Sequence, residues 1–310
     1  MEPALFDKSL FALAALALAG CGASIPASDI TARVADAQHS SDMVRFASMC
    51  EDWDDWDKPT EPFQIHGNTW YVGTCGIAVI LIKGDDGAVL IDSGTNTGSE
   101  VIEANIAALG YAIRDVKALL VSHEHYDHVG GMARLQGLSG APLWVGEGAA
   151  EVMRTGKDHP RDPQAGLHAA MAPVTGTIRA IADGEVLETA GVTLTAIATP
   201  GHTIGAMSWQ WESCTAGGCV TIVYGDSLSP VSADEYRFTD HPEYVAMFRR
   251  GIARLAGLNC DMLLTPHPSA SQMLARARTG SFEGGVTCAA YAASKTKAMD
   301  DRLAKEAASN

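Results

Sequence analysis

Positive charge is what this 310-residue chain most plainly lacks: 22 Lys and Arg stand against 37 Asp and Glu, a formal net charge of −15. A surface of that sign repels polyanions, so no nucleic-acid partner is expected. Cysteine is limited to seven residues, and none falls in a Cys-x-x-Cys pair, which excludes a zinc ribbon and a thioredoxin-type redox motif. No short sequence repeat is present, so a solenoid is excluded. Beyond the first 21 residues no apolar run is long enough to span a bilayer. What is there is ordinary globular material, 47% hydrophobic and 19% charged, ample for one large or two modest domains.

The chain opens differently. Residues 9–20 form a Leu- and Ala-rich stretch too short for a membrane span but suited to the apolar core of a signal peptide. It runs into Leu18-Ala19-Gly20-Cys21, which resembles a bacterial lipoprotein cleavage box with Cys21 as the lipidated residue. Lys8 is offset by Glu2 and Asp7, so the usual basic excess before such a core is missing, and simple secretion with cleavage near Ala27 is the alternative. The expectation is a signal peptide over 1–21 and export to a bacterial periplasm, with a lipid anchor through Cys21. Six cysteines then remain, an even number suited to an oxidising compartment. Order along the chain favours Cys50–Cys75, Cys214–Cys219 and Cys260–Cys288, each closing a local loop, with scattered free thiols as the alternative.

Residues 22–48 are small, polar and irregular and read as a flexible arm. Residues 50–62, rich in Asp and Trp (Trp53, Trp56) with Pro59 and Pro62, read as a loop lying on the body. Short Val-, Ile- and Tyr-rich strands follow at 69–72, 77–82, 88–91, 116–121 and 143–145, with helices at 100–109, 129–135 and 148–153. A second set comprises strands at 178–181, 192–198, 207–211, 220–224 and 261–264, with helices at 242–255 and 288–307. Two β-then-α halves packed sheet to sheet predict an α/β fold, a four-layer αββα sandwich, as one domain over 49–310.

The most specific signal is Ser122-His123-Glu124-His125-Tyr126-Asp127-His128-Val129-Gly130-Gly131, directly after a buried strand. Residues two apart on an extended segment point the same way, so His123 and His125 can converge on one ion. Asp127 and His128 turn towards a second ion as the chain bends into a helix. Imidazole nitrogen and carboxylate oxygen are zinc donors, and crowding so many titratable groups together serves no packing purpose. A catalytic zinc takes three protein ligands and keeps one position for water. Two later histidines at strand ends can complete the sets: His202 in Thr199-Pro200-Gly201-His202-Thr203 and His267 in Leu264-Thr265-Pro266-His267-Pro268. Isolated loop histidines are ordinarily solvated, which is how His39, His66 and His241 read. His159 and His168, in the segment 157–168, read as surface or substrate-rim residues.

On these residues the chain from Cys50 onward resembles the metallo-β-lactamase superfamily, whose ligand series runs His-x-His-x-Asp-His, then Pro200-Gly201-His202, then Pro266-His267. Within it the chain is similar to subclass B3. The resemblance implies one zinc on His123, His125 and His202 and another on Asp127, His128 and His267, that is, two Zn²⁺ per chain. Gly225-Asp226-Ser227-Leu228-Ser229 is similar to the loop whose two serines receive the substrate carboxylate. The Cys260–Cys288 pair looks like a disulfide of that subclass. No cysteine ligand follows the strand at Val223 and no lysine follows Asp226, as the commonest subclass would require. Asp92 resembles an outer aspartate that accepts the free ring N–H of a ligand histidine, a plain strand-end cap being the alternative.

The implied activity is zinc-dependent hydrolysis of the β-lactam amide bond, giving antibiotic resistance, with a metal-activated hydroxide as nucleophile, Asp127 orienting it and no covalent intermediate. A β-lactam is the expected partner and a monomer the expected state. The alternatives are a lactonase or thioesterase of the same fold, for which Asp226 would bridge the metals, and a zinc-binding envelope lipoprotein without turnover.

Overall fold

The computed structural model describes residues 27–309, with side chains from residue 38; the expected signal peptide and Cys21 lie outside the described residues. By internal contacts the chain forms two units, one ending at Asp36 and the other running from Ala37. Of the first, the described residues belong to helix α1 (Ala27–Met49).

The first half of the body then lays down β1 (Phe63–His66), β2 (Thr69–Tyr71), β3 (Ile80–Gly84), β4 (Gly87–Ile91), α2 (Gly98–Ala108), β5 (Val116–Leu120), α3 (Tyr126–Val129), α4 (Met132–Ser139), β6 (Leu143–Gly146) and α5 (Ala150–Thr155). The second supplies β7 (Ile178–Ile181), β8 (Val186–Thr189), β9 (Val192–Ala198), β10 (Met207–Thr215), β11 (Gly218–Tyr224), α6 (Pro242–Ala256), β12 (Met262–Leu264), α7 (Met273–Ala277) and α8 (Cys288–Ala308). Strands β1 to β7 make a seven-stranded sheet in chain order, antiparallel as far as β4 and parallel from β4 to β7. A five-stranded sheet runs β12-β11-β10-β9-β8, with β12 parallel to β11. No helix among the described residues is long and apolar enough to cross a membrane.

The layering follows from which side chains share a face. In a strand successive side chains point to opposite faces. Ile80, Ile82, Val89, Ile91, Ala118 and Leu120 enter the core between the sheets, along with Trp209, Ile222, Tyr224 and Leu264 from the other sheet. Their neighbours Leu81, Leu90 and Leu119 face outward beneath α2 and α4, in a second cluster with Ile102, Ile106 and Leu135. On the far side Val223 and Leu263 meet Phe248 and Ile252 of α6 and Tyr291 and Met299 of α8. The central strands β3, β4, β5 and β12 are therefore covered on both faces and read as apolar runs, whereas β8 and β9 alternate buried with exposed or half-buried residues. The result is the αββα sandwich.

Two readings of local structure are corrected. Residues 22–48 are not an irregular arm over their described part: α1 is helical to Met49, and Met43, Phe46 and Ala47 are buried. Phe46 packs 4.9 Å from Phe63 and 5.0 Å from Tyr71, ring centre to ring centre. Three apolar residues at helical spacing among Ser, Asp and His hardly raise the local hydropathy, so the stripe went unseen. The helix expected over 129–135 is two helices, α3 and α4, separated at Gly130-Gly131. A Cβ on Gly131 would lie 2.3 Å from that of Ser99, so only glycine lets the chain pass there. Disulfides join Cys50 to Cys75, Cys214 to Cys219 and Cys260 to Cys288.

Candidate metal centre

The site lies where strand ends of both sheets meet, and Asp92 ties those ends together. It follows β4 with a left-handed backbone (φ 67°). Its carboxylate accepts the Ser122 N–H and the Ser122 hydroxyl, both at 2.7 Å, and the Tyr224 hydroxyl of β11 at 2.9 Å. Tyr224 also donates to the carbonyl of Ala78 at 2.8 Å. The segment after β5 is thereby held against β11, and His123 and His125 leave it in extended backbone before Asp127 and His128 enter α3. His202 arrives in the turn after β9. A Cβ on Gly201 would sit 2.6 Å from the Phe248 ring, so this glycine is what lets the turn pack against α6. His267 follows β12, preceding Pro268.

These side chains form two adjoining sets. His123, His125 and His202 are buried and place their ring centres 5.0, 4.6 and 4.8 Å apart. In the second set Asp127 Oδ2 lies 3.0 Å from His128 Nε2 and 3.3 Å from His267 Nε2, and the two imidazole nitrogens are 3.3 Å apart. Donors bound to zinc at about 2.0–2.1 Å on tetrahedral directions are separated by about 3.3–3.4 Å. The second set therefore has the edge lengths of a tetrahedral cradle. His123 Nε2 is buried with no hydrogen-bond partner among the described residues, a costly arrangement that a cation relieves. His123 and His128, with ring centres 4.2 Å apart, join the two sets, and each group of three leaves a coordination position open.

Several of the other ring nitrogens have polar neighbours, while His128 Nδ1 is buried with no hydrogen-bond partner among the described residues. His123 Nδ1 lies 2.9 Å from Asp226 Oδ1, His125 Nε2 lies 2.9 Å from Asp162 Oδ2, and His202 Nδ1 donates to the Ser229 carbonyl at 2.8 Å. Such partners select the tautomer and leave the opposite nitrogen free as a ligand. Asp92 Oδ2 stands 3.8 Å from His128 Nδ1, beyond hydrogen-bond range, while its oxygens accept from Ser122 and Tyr224. Asp162 hydrogen-bonds His125, whereas Asp226 Oδ1, though near His123, forms no hydrogen bond, and His123 Nδ1 has Ser122 Oγ at 3.3 Å. Asp162 went unread because its partner is 37 residues away in sequence. Glu124, also unread, is buried and accepts the Thr203 hydroxyl at 2.6 Å and the Gly205 N–H at 2.9 Å, pinning the His202 turn to the motif.

The electrostatics suit cation binding. Burial pushes His123 and His202 well below the usual imidazole range, so both present lone pairs at neutral pH. Burial raises the Asp127 carboxyl, but His128 and His267 more than reverse this and hold it well below its ordinary value. Burial lifts Asp92 to about 7. For His125 the burial that lowers it is outweighed by Asp162, and the net shift is upward.

Above the donors is a cavity of about 230 Å³, walled by Trp53, Trp56, Gln164 and His168 and floored by His125, Asp127, Ser227 and Ser229 among others. Trp53 and Trp56 are exposed at its mouth, where apolar surface commonly meets a ligand. Trp53 has a left-handed backbone, its N–H donates to Ser269 Oγ at 2.7 Å, and its ring lies 5.7 Å from that of His267. His168 packs 4.6 Å from His125. His159 is away from the cavity wall and accepts the Arg161 N–H. His66 pairs with Ser213 and His241 stacks on Tyr236.

A four-layer sandwich with clustered imidazole and carboxylate donors where its sheets meet defines a metal-binding protein with open coordination positions. The chain belongs to the metallo-beta-lactamase superfamily, whose family model matches residues 72–267. Among solved structures, the metallo-beta-lactamase MIM-2 is 53% identical, with 85% of this chain and 98% of that one covered at a TM-score of 0.79. MIM-1 from Novosphingobium pentaromativorans is 42% identical, with 85% and 98% covered at 0.81. MEM-A1, a subclass B3 metallo-beta-lactamase from a soil metagenome library, is 37% identical, with 83% and 100% covered at 0.79. A hydroxyacylglutathione hydrolase of Pseudomonas paraeruginosa is 30% identical over 45% of this chain, which spans only 42% of that relative's length.

Proposed function

We propose that the protein is a subclass B3 metallo-β-lactamase holding two zinc ions, on His123, His125 and His202 and on Asp127, His128 and His267, and opening the amide bond of β-lactam antibiotics. The observation that carries this reading is the pair of three-donor sets beneath one cavity, each with a coordination position left open for water or substrate. Zinc in these sets lowers the pKa of bound water towards neutrality and polarises a carbonyl oxygen.

The chain's own residues supply the rest. Asp127 stays ionised and offers a carboxylate oxygen at the cavity floor, where it orients the attacking water. Asp162 and the Ser229 carbonyl keep His125 and His202 in the tautomers that metal binding needs. Ser227 and Ser229 receive the substrate carboxylate, and Trp53 and Trp56 cover the mouth and keep bulk water off. Asp226 Oδ2 accepts the Leu228 N–H and Oδ1 lies 2.9 Å from His123 Nδ1. The protein acts as a monomer in a bacterial periplasm, after export on residues 1–21 and with Cys21 lipidated. Three disulfides accord with that oxidising compartment.

The similarity to hydroxyacylglutathione hydrolases favours a second reading, a thioesterase. One experiment separates them: turnover of a chromogenic cephalosporin and of a hydroxyacylglutathione thioester, with and without a zinc chelator. The expected result is cephalosporin hydrolysis that the chelator abolishes and zinc restores. In Asp127→Ala the rate should fall by more than about a hundredfold, beyond what loss of an outer partner typically costs, with an unchanged circular dichroism spectrum. Thioester turnover without cephalosporin turnover, or full activity in Asp127→Ala, overturns the β-lactamase reading.

A further inference from the structure

Helix α8 does more than cover the outer face of the five-stranded sheet. Its first residue is disulfide-bonded to Cys260, and one turn on, the Tyr291 hydroxyl donates to the Ser227 carbonyl at 2.7 Å. A further turn on, Lys295 Nζ donates to Ser229 Oγ at 2.8 Å and lies 4.6 Å from the Tyr291 ring centre. Residues four apart share a helix face, so one face of α8 grips the whole 226–229 loop. Between the two serines Leu228 has a left-handed backbone (φ 45°) with its side chain fully buried, a strained arrangement of the sort found at binding sites.

The Lys295 ammonium is unusual in its surroundings. It is partly buried, and no carboxylate among the described residues pairs with it within ion-pair distance. Ser227 is 4% exposed, lines the cavity, and its hydroxyl has no hydrogen-bond partner among the described residues. The Asp226 carboxylate acts on Lys295 only from beyond ion-pair distance, and a cation without a close carboxylate, on the same loop as an unsatisfied buried hydroxyl, is an arrangement that an anion completes.

We propose that Lys295 is a positioning residue for anionic substrates, acting through Ser229 to make the two-serine end of the cavity a charged carboxylate subsite. Because Lys295 Nζ donates to Ser229 Oγ, the serine's own proton is free to be given away. It now goes to the Ser227 carbonyl at 3.2 Å, and a carboxylate entering between the serines takes it instead. The ammonium sits behind that hydrogen bond and strengthens it. Burial lowers Lys295 to about 8, which leaves it mostly protonated at neutral pH.

The inference rests on the β-lactamase reading only for the identity of the anion, and the test keeps the two apart. Kinetics of the unaltered protein, Lys295→Met and Lys295→Arg would be compared on benzylpenicillin and on its methyl ester. Lys295→Met should raise KM for the acid about tenfold, the scale of one charge-assisted hydrogen bond, with a smaller change in kcat and no change for the ester. Lys295→Arg should recover most of the loss. Calorimetric titration of the zinc-loaded proteins with mercaptoacetate, and with 2-mercaptoethanol as the thiol lacking a carboxylate, reads the same contact without turnover. Lys295→Met should weaken mercaptoacetate and leave mercaptoethanol unchanged. Failure of the unaltered protein to hydrolyse both benzylpenicillin and the chromogenic cephalosporin overturns the β-lactamase reading alone, since the titration still decides Lys295. Equal mercaptoacetate affinity in Lys295→Met, or equal losses for acid and ester, overturns the role of Lys295.

Discussion

Replacing Asp162 with alanine strips His125 of the acceptor that its Nε2–H meets in a site shielded from water. Both side chains are 3% exposed and the two atoms lie 2.9 Å apart. A buried N–H left without a partner costs about 1–3 kcal/mol. A ligand histidine that loses its outer partner gives up tenfold to hundredfold in metal affinity, about 1.4–2.8 kcal/mol. Asp162 Oδ1 also accepts the Gln164 N–H at 2.8 Å, so the wall of the cavity slackens in the same variant. Asp162→Asn retains an acceptor oxygen and should lose less. The assay is zinc titration against a chromophoric chelator, read for the two binding steps that the proposed two-zinc site predicts. In Asp162→Ala the step belonging to His123, His125 and His202 should weaken tenfold to hundredfold, while the step belonging to Asp127, His128 and His267 holds. Unchanged affinity for the first step, or equal weakening of both, would refute the argument that Asp162 aims His125.

Two further outcomes bear on how the site is braced. Glu124→Ala leaves the Thr203 hydroxyl and the Gly205 N–H without their buried acceptor and should destabilise the protein by about 2–4 kcal/mol; an unaltered urea midpoint would show that these bonds do not hold the His202 turn. Replacing Cys260 and Cys288 together by alanine opens a loop of 28 residues' separation and should cost about 3–4 kcal/mol on the chain-entropy view. Because α8 starts at Cys288, the same variant should also raise KM for benzylpenicillin, and thermal unfolding with parallel kinetics checks both effects.

The layers of the fold were legible because the central strands that build them are buried on both faces and are rich in Val, Ile and Leu. The strands that escaped notice are β1, with Phe63-Gln64-Ile65-His66, and β8, with Val186-Leu187-Glu188-Thr189. Each is four residues long, half polar, and at the edge of its sheet. An edge strand needs little apolar surface and leaves a weak pattern. Helix α1 left a weak pattern for a related reason: its buried apolar residues are Met43, Phe46 and Ala47, while Val44 and Met49 are exposed.

By itself the sequence determined which atoms could bind a metal and roughly where the chain would offer them. His123, His125, Asp127 and His128 are close in sequence, and backbone geometry over six residues sends them in predictable directions. His202 and His267 stand at strand ends, where a sheet gathers its loops. Only the tertiary structure decided how those donors are aimed. That Asp162 and the Ser229 carbonyl take the outer nitrogens of His125 and His202 depends on distances of 2.9 and 2.8 Å between residues 37 and 27 apart in sequence. The Lys295–Ser229 contact spans 66 residues. Side-chain chemistry is a property of the residue and is written in the sequence. A hydrogen bond requires two particular atoms to meet within a few tenths of an ångström, and only the packed sheets and helices set that separation.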